Sequence, residues 1–262
     1  MWRGGISFGL VNIPIGVYVA TEGREFSFNQ MCNKGHRIRY KKWCPVEERE
    51  ASYSEIKKGY ELSKDNYLVL DKQDLDRIKL KSTSTIDVKE FVDEKELDPI
   101  LIERTYYIAP DSKKNKNDKA YSLLVKVLTE TKKIAVGKVV LKDKEHLVVL
   151  RPYQRALVMH VLHFLDEIRP VDEIDELKNI QSASLDSKEL SLGKMLVENL
   201  ASEHLDLSKY SDAYTKELEK LIDAKSKGKT IIEKPVEKVE QTKDLVAALK
   251  ASLQKTKTKK KG

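Results

Sequence analysis

A run of basic side chains early in the sequence has the residue types and spacing that bind phosphate groups. Residues 34–42 (KGHRIRYKK) contain five cations and no carboxylate: Lys34, Arg37, Arg39, Lys41 and Lys42. Such side chains neutralise phosphates and release counterions, which gives salt-sensitive binding without base recognition. On an extended ribbon, three of the five would share one face, with Ile38 and Tyr40 opposite. We predict that this segment contacts nucleic-acid phosphates; the alternative is an ordinary solvated surface.

A second group of lysines lies near the middle of the chain. It consists of Lys113, Lys114, Lys116 and Lys119, followed by Lys126, Lys132 and Lys133 on a predicted helix. We predict that Lys113, Lys114 and Lys116 also bind DNA. The sequence contains no recognisable RNA-recognition platform, helix-turn-helix or zinc finger, so the expected contacts are to the nucleic-acid backbone rather than to bases.

Three residues near the first basic run raise the question of a metal. Cys32, His36 and Cys44 could supply three zinc ligands, and Cys44-Pro45 begins like a zinc knuckle. The position where a knuckle would have its next cysteine is Glu47, and structural zinc sites need four ligands. The alternative is a pair of small buried cysteines in a loop, and we predict no metal or other cofactor.

Other residues were considered for catalysis. Asp111 and Lys113 resemble a fragment of a metal-dependent nuclease site, but no second carboxylate follows at a recognisable spacing. His160 and His163 lie three residues apart in a strand-like segment, where they would point to opposite faces. The motifs of P-loop enzymes, dinucleotide-binding enzymes, serine hydrolases and zinc proteases are absent, as is the lysine motif of nucleotidyl-transferring ligases. We predict that the chain is not an enzyme.

Charge is distributed unevenly over the 262 residues. Residues 1–159 carry 30 basic and 23 acidic side chains, residues 160–224 carry 7 and 15, and residues 225–262 carry 12 and 4. A basic body and a basic tail thus flank an acidic section, which favours a polyanionic partner for the body. Two cysteines and the lack of any apolar run of 18 residues indicate a reducing cytoplasm rather than secretion or a membrane. With nucleic acid as the partner, we expect association with the nucleoid.

The elements that would position these residues are strands in the body and helices after it. Apolar residues alternate in 5–19 with a change of parity at Leu10–Val11, which predicts two strands. Pro14 indicates an edge or crossing position. Further strands are predicted at 67–70, 86–92, 100–109, 134–141, 146–151 and 156–165, and one helix at 117–133. This density of strands predicts a barrel or a strongly curved sheet.

Helical spacing dominates after residue 185. We predict one helix with Ser187 as N-cap and a second with Ser211 as N-cap. Residues 226–241 are predicted to be a linker, and Leu245, Leu249 and Leu253 form one narrow stripe on a last short helix before a lysine-rich tail. The predicted organisation is therefore a core at 1–185, a helical section at 186–225, and linker, helix and tail at 226–262.

Ordered motifs along the chain resemble those of the prokaryotic Ku family. They are WRGGISFGLVNIP at 2–14, RIRYKKWCP at 37–45, KGYE at 58–61, YYIAPD at 106–111, KAYSLL at 119–124, KVVL at 138–141, EHLVVLRP at 145–152, DEIR at 166–169 and DLVAALKASL at 244–253. The resemblance covers residues 2 to about 225 and resumes at 244.

The resemblance implies a mixed β and α fold with a Ku-type β-barrel core, assembled as a homodimeric ring that threads onto double-stranded DNA ends. It implies non-homologous end joining with DNA ligase D as partner, to which we assign the stripe Leu245, Leu249 and Leu253. No catalytic residues are implied. Little follows residue 253 except lysines, so functions of long carboxyl-terminal extensions are not expected. The acidic section is expected to face away from DNA.

Overall fold

The computed structural model describes residues 2–23, 26–78, 84–111, 119–178, 186–228 and 245–259. They divide into two compact units, Met1–Pro170 and Val171–Gly262. The strands are β1 Trp2–Phe8, β2 Val11–Val19, β3 Trp43–Cys44, β4 Arg49–Glu50, β5 Lys58–Ser63, β6 Asn66–Leu70, β7 Thr85–Asp93, β8 Ile102–Pro110, β9 Lys133–Leu141, β10 Lys144–Tyr153 and β11 Ala156–Leu162. The helices are α1 Lys72–Ile78, α2 Lys119–Thr131, α3 Ser187–Leu200, α4 Ala213–Ser226 and α5 Leu245–Lys259.

Seven strands of the first unit close into a barrel in the order β1-β2-β8-β11-β10-β9-β7. All neighbours are antiparallel except β7 and β1, which pair in parallel through Gly5↔Thr85, Ile6↔Ile86 and Ser7↔Asp87. The predicted barrel is thereby confirmed. The parity change at Leu10–Val11 comes from the two-residue turn between β1 and β2. That turn pairs Phe8 with Val11, so even-numbered residues of β1 and odd-numbered residues of β2 share one face.

The barrel interior is filled by branched aliphatic side chains and covered by α2. Ile6, Ile86 and Ile108 are completely buried, and each such burial contributes about 1.5–3 kcal/mol. Tyr121 of α2 anchors the helix: its hydroxyl donates to the Ile108 carbonyl at 2.7 Å and accepts from the Leu157 N–H at 2.9 Å. One phenol therefore satisfies backbone groups of both β8 and β11.

Two positions explain local features of the barrel sequence. Pro14 lies where β8 ends: its carbonyl accepts from the Asp111 N–H at 3.0 Å, and the β2–β8 pairing begins one residue later. Pro14 pairs with Gly5 of β1 and lies at the end of the β2–β8 ladder, not on an edge strand, because the barrel is closed. Gly137 faces an irregularity in β7, and a Cβ there would lie 2.6 Å from the Asp87 carbonyl oxygen.

The second unit contains α3, α4 and α5. The predicted helices are confirmed, but both predicted N-caps were wrong by one residue. Asp186, not Ser187, caps α3 and exchanges hydrogen bonds with Glu189 in a capping box, and Asp212, not Ser211, accepts from the Thr215 N–H at 3.1 Å. In each case an adjacent residue, before Ser187 and after Ser211, carries a carboxylate, which is a stronger acceptor for the free N–H groups than a hydroxyl.

Helix α5 packs along α3 and continues to Lys259, beyond the predicted stripe. Most of the predicted linker 226–241 lies outside the described residues, as do residues 260–262. The 3₁₀ turn Pro99–Leu101 replaces the start of the strand predicted at 100–109, because the Asp98 carboxylate accepts from the Ile100 N–H at 3.0 Å.

Candidate nucleic-acid interface

The chain between β2 and β7, residues 20–84, leaves the barrel and is called the arm here. It contains two small two-stranded sheets, β3–β4 and β5–β6, and helix α1. Among its described residues none is fully buried, whereas every barrel strand contains buried positions. The arm therefore presents its side chains to solvent along most of its length, which suits a binding surface rather than a core.

The basic run, residues 34–42, begins in a tight loop of the arm. The Cys32 N–H donates to the His36 carbonyl and the Gly35 N–H to the Cys32 carbonyl, both at 2.8 Å. Gly35 has a φ of 80°, which favours glycine. A single antiparallel bridge joins Met31 to Arg37, and residues 38–42 have no regular secondary structure. Strand-like pairing in the basic run is therefore limited to Arg37, and the extended ribbon predicted for 34–42 is not continuous.

The five cations of the run differ in how they are engaged. Lys41 pairs with Glu50 at 2.9 Å, which raises the pKa of its ammonium group, and Lys42 lies 4.2 Å above the Tyr53 ring. Lys34, Arg37 and Arg39 are exposed and have no carboxylate partner in the described part of the chain. No Asp or Glu occurs from residue 26 to residue 46. These three side chains are available to phosphates without first breaking an ion pair.

Exposed aromatic side chains accompany the cations. The sequence placed Tyr40 opposite the cationic face but did not indicate that these rings are exposed. Tyr40 is 80% exposed, and Trp43 and Tyr53 are also exposed. The Tyr40 hydroxyl donates to the Gln30 side chain, which fixes the ring beside the basic run. In the sequence an aromatic residue between basic ones is equally compatible with a core position, so only the structure shows that these rings face solvent.

Comparison with known proteins identifies the family. Residues 7–192 match the domain family described as the Ku70/Ku80 beta-barrel domain. The chain belongs to the Ku family. A protein of Archaeoglobus fulgidus named Non-homologous end joining protein Ku is 42% identical over 257 residues, 98% of both chains. Proteins of the same name are 37% identical in Heliobacterium modesticaldum (100% of this chain, 93% of the relative) and 34% identical in Bacillus subtilis (98% and 82%).

Ku-family membership confirms the resemblance drawn from the motifs, the barrel with helical additions, and the prediction that the chain is not an enzyme. The predicted site residues are a separate matter. In this Ku-family chain Lys113, Lys114 and Lys116 lie outside the described residues. Their contribution to DNA binding stays a prediction. No helix in the described ranges is long and apolar enough to cross a membrane.

The possible metal ligands do not come together in the Ku-family chain. Within the described residues, no three His, Cys, Asp or Glu side chains are grouped so that they could hold a metal ion. Cys32 and Cys44 are partly buried free thiols. The His36 backbone N–H, rather than its ring, contacts the Cys32 sulfur at 3.4 Å, and this hydrogen bond lowers the pKa of the thiol.

The residues considered for catalysis, Asp111, His160 and His163, lie at separate places in the barrel unit. Asp111 is buried at the end of β8. His160 is 5% exposed in β11: Arg151 Nε donates to its Nε2 at 2.9 Å, so its Nδ1 carries the proton and donates to Thr105 Oγ1 at 2.8 Å. Burial, and then the nearby Arg151 charge, lower the pKa of this imidazole. His163 does not join this pair: its Nδ1 lies 3.4 Å from Oε2 of Glu167.

The stripe assigned to a protein partner lies partly against the chain's own helix. Leu253 is 8% exposed in α5, and Leu249 lines a cavity of about 460 Å³ with Leu190, Gly193 and Val197 of α3. The side chain of Leu245 is not among those described. A partner that binds this stripe must therefore contact α3 as well, or displace it.

Proposed function

We propose that this Ku-family chain is a non-enzymatic protein that binds double-stranded DNA ends in non-homologous end joining. The observation that carries the proposal is the match, along essentially the whole chain, to relatives named Non-homologous end joining protein Ku. The exposed cations of the arm support it, because unpaired lysine and arginine side chains on a solvent-facing segment bind phosphates of any sequence.

The proposed assembly is a homodimeric ring. If the arms of two copies close over a duplex, Lys34, Arg37, Arg39, Lys41 and Lys42 meet phosphates around it. A closed ring loads only where the duplex ends, so topology supplies selectivity for ends without base contacts. The clamp also slows dissociation more than any single contact strengthens binding. The acidic section 160–224 is proposed to lie off the DNA, since like charges repel there.

The proposed protein partner is DNA ligase D, recruited through α5. Leu245, Leu249 and Leu253 form one face of that helix at a spacing of four residues, the arrangement by which an amphipathic helix enters an apolar groove. The contact with α3 described above supports an apolar role for this face. We assign Leu249 to the ligase contact together with the neighbouring surface of α3. Leu253 is 8% exposed and joins the contact only if the ligase displaces the side chains that cover it.

A competition experiment tests the ring. The purified chain is bound to a labelled linear duplex, and unlabelled plasmid is added either closed-circular or linearised at one site. We expect the linearised plasmid to compete in proportion to its ends and the closed circle to compete weakly. Equal competition by both forms would contradict the ring and favour a general architectural DNA-binding protein. Cleavage of either plasmid in Mg²⁺ or Mn²⁺ would instead favour a nuclease.

A further inference from the structure

A large cavity lies where the arm meets the barrel, separate from the basic run. Its volume is about 760 Å³, and its walls come from β5, β6 and α1 of the arm and from the turn between β9 and β10 of the barrel. Five lysines line it: Lys57, Lys58, Lys72, Lys142 and Lys144. Lysines from two distant parts of the sequence thus converge on one opening.

Three carboxylates also line the cavity, Asp71, Asp76 and Asp143, which leaves a net charge of +2 from five lysines and three acids. Asp71 is committed to the start of α1: its Oδ1 accepts from the Asp74 N–H at 2.8 Å. That backbone hydrogen bond lowers the pKa of Asp71, with a smaller contribution from the charge of Lys57. The cavity is therefore electropositive even with its own acids ionised.

The five lysines form no ion pair within 4.0 Å in the described part of the chain. Two lysines of β9 behave differently. Lys133 lies 3.1 Å from Asp93, and Lys138 lies 2.7 Å from Glu145. Glu145 directly follows Lys144, yet it is held by the lysine across the ladder. Within the described residues, the cavity lysines thus gather positive charge with no carboxylate within 4.0 Å, and Glu145 is engaged by Lys138.

The barrel side of the cavity is a strained turn. Lys142 and Asp143 have φ values of 49° and 69°, the left-handed region that a two-residue hairpin turn requires. Asn-Gly suits such a turn, and each other side chain there costs about 1 kcal/mol or more. The turn places Lys142 and Lys144 at the wall of the cavity.

The rest of the lining suits lysine side chains. Ile56, Leu70 and Leu75 contribute apolar surface to the same cavity. The four methylene groups of a lysine pack against apolar surface while the ammonium group stays in water. An anion at the opening would contact several ammonium groups whose methylene chains pack on this apolar surface. A phosphate suits this arrangement because its negative charge is shared over several oxygens.

We propose that this cavity is a second site for backbone phosphates of duplex DNA, held jointly by the arm (Lys57, Lys58, Lys72) and the barrel turn (Lys142, Lys144). The inference rests on the proposed function, since DNA is the ligand. It adds a contact outside the basic run and makes the base of the arm part of the DNA path. One phosphate here engages both parts of the chain, so the arm and barrel lysines act together.

The test uses three glutamine variants of the full chain. Lys57→Gln/Lys58→Gln removes arm charge, Lys142→Gln/Lys144→Gln removes barrel charge, and the third variant combines all four changes. The affinity for a linear duplex is measured at several salt concentrations. We expect each double variant to bind about tenfold more weakly and the slope of log affinity against log salt to fall by about one unit per lost phosphate contact. The fold-loss of affinity in the combined variant should be smaller than the product of the fold-losses in the two double variants, because both walls hold the same phosphate.

The matched control is Lys220→Gln/Lys227→Gln, in α4 and at its end, which removes the same charge from lysines already paired with Glu217 and Asp223. It should change neither affinity nor slope appreciably. Cavity variants that behave like this control, or losses that simply multiply, would overturn the joint site. Inorganic phosphate is also added at millimolar concentration and constant ionic strength. If the wild-type cavity binds this phosphate while the variants bind the duplex as tightly as the wild type, the cavity is a small-anion site and the DNA assignment is overturned. A wild-type chain that binds no linear duplex would overturn the proposed function itself.

Discussion

The barrel and the arm belong to one compact unit but are stabilised in different ways. Barrel strands alternate buried aliphatic residues with outward-facing ones and share a continuous core with α2. The arm has short sheets, exposed aromatic rings and surface ion pairs such as Arg49–Glu55 at 3.1 Å. Exposed ion pairs contribute little to stability, at most about 1 kcal/mol each. The fold is therefore held by the barrel, and the arm is a stretch of chain whose side chains are left for other contacts.

This difference separates stability from binding. A change in the barrel should alter the free energy of unfolding with little direct effect on DNA, whereas a change of charge in the arm should alter DNA binding with little effect on unfolding. Proteins often place binding residues on such exposed segments supported by a rigid scaffold. The predictions below test whether the two properties are separable in this chain.

The largest expected effect is on the barrel core. Leu128 of α2 is almost completely buried, and Leu128→Ala should lower the free energy of unfolding by about 2–5 kcal/mol through lost burial and the cavity left behind. The matched arm variant is Leu68→Ala in β6, where the side chain is half exposed, and it should cost about 1 kcal/mol or less. Urea denaturation measures both. Equal losses would mean that the arm is part of the cooperative core.

The next effect is on DNA binding by the arm. Arg37→Glu together with Arg39→Glu should weaken binding to a linear duplex by about a hundredfold or more, because two phosphate contacts become repulsive. The unfolding midpoint should stay unchanged, since both side chains are exposed and unpaired with carboxylates in the described residues. Arg37→Lys with Arg39→Lys keeps the charge and is the control. Unchanged duplex binding by the glutamate variant would remove the basic run from the site.

The barrel was largely predictable from the sequence and the arm was not. Period-two alternation such as that of Ile13, Ile15 and Val17 reports a half-buried strand directly, so the strands of the barrel and the break at Leu10–Val11 could be predicted. The strand predicted at 67–70 is β6 of the arm, and alternation alone did not separate it from the barrel strands. The closing parallel pair of β7 with β1 joins residues far apart in the sequence, and no local pattern encodes it.

In the arm, local pattern fails for a physical reason. Alternation within 34–42 predicted an extended face. With no core to pack on, the backbone is instead fixed by the loop at Gly35, the bridge at Arg37 and single hydrogen bonds from Ile38 to Gln30 and from Ala51 to Lys42. The basic run itself could be found because charge is a property of composition. The cavity lysines could not, because Lys57 and Lys142 become neighbours only through the fold.

The smallest expected effect is the pH dependence of barrel stability through His160. Its imidazole is held neutral between Arg151 and Thr105, and its pKa is lowered by burial, so the unfolded chain binds this proton more readily. Stability from this group is therefore complete above the ordinary histidine pKa of about 6.5 and is lost as pH falls below it. Urea unfolding between neutral and mildly acidic pH should show a steeper loss in the wild type than in His160→Gln. His204→Gln, at an exposed position, is the control and should keep the wild-type slope. Identical slopes for all three proteins would show that His160 is protonated equally in the folded and unfolded chain.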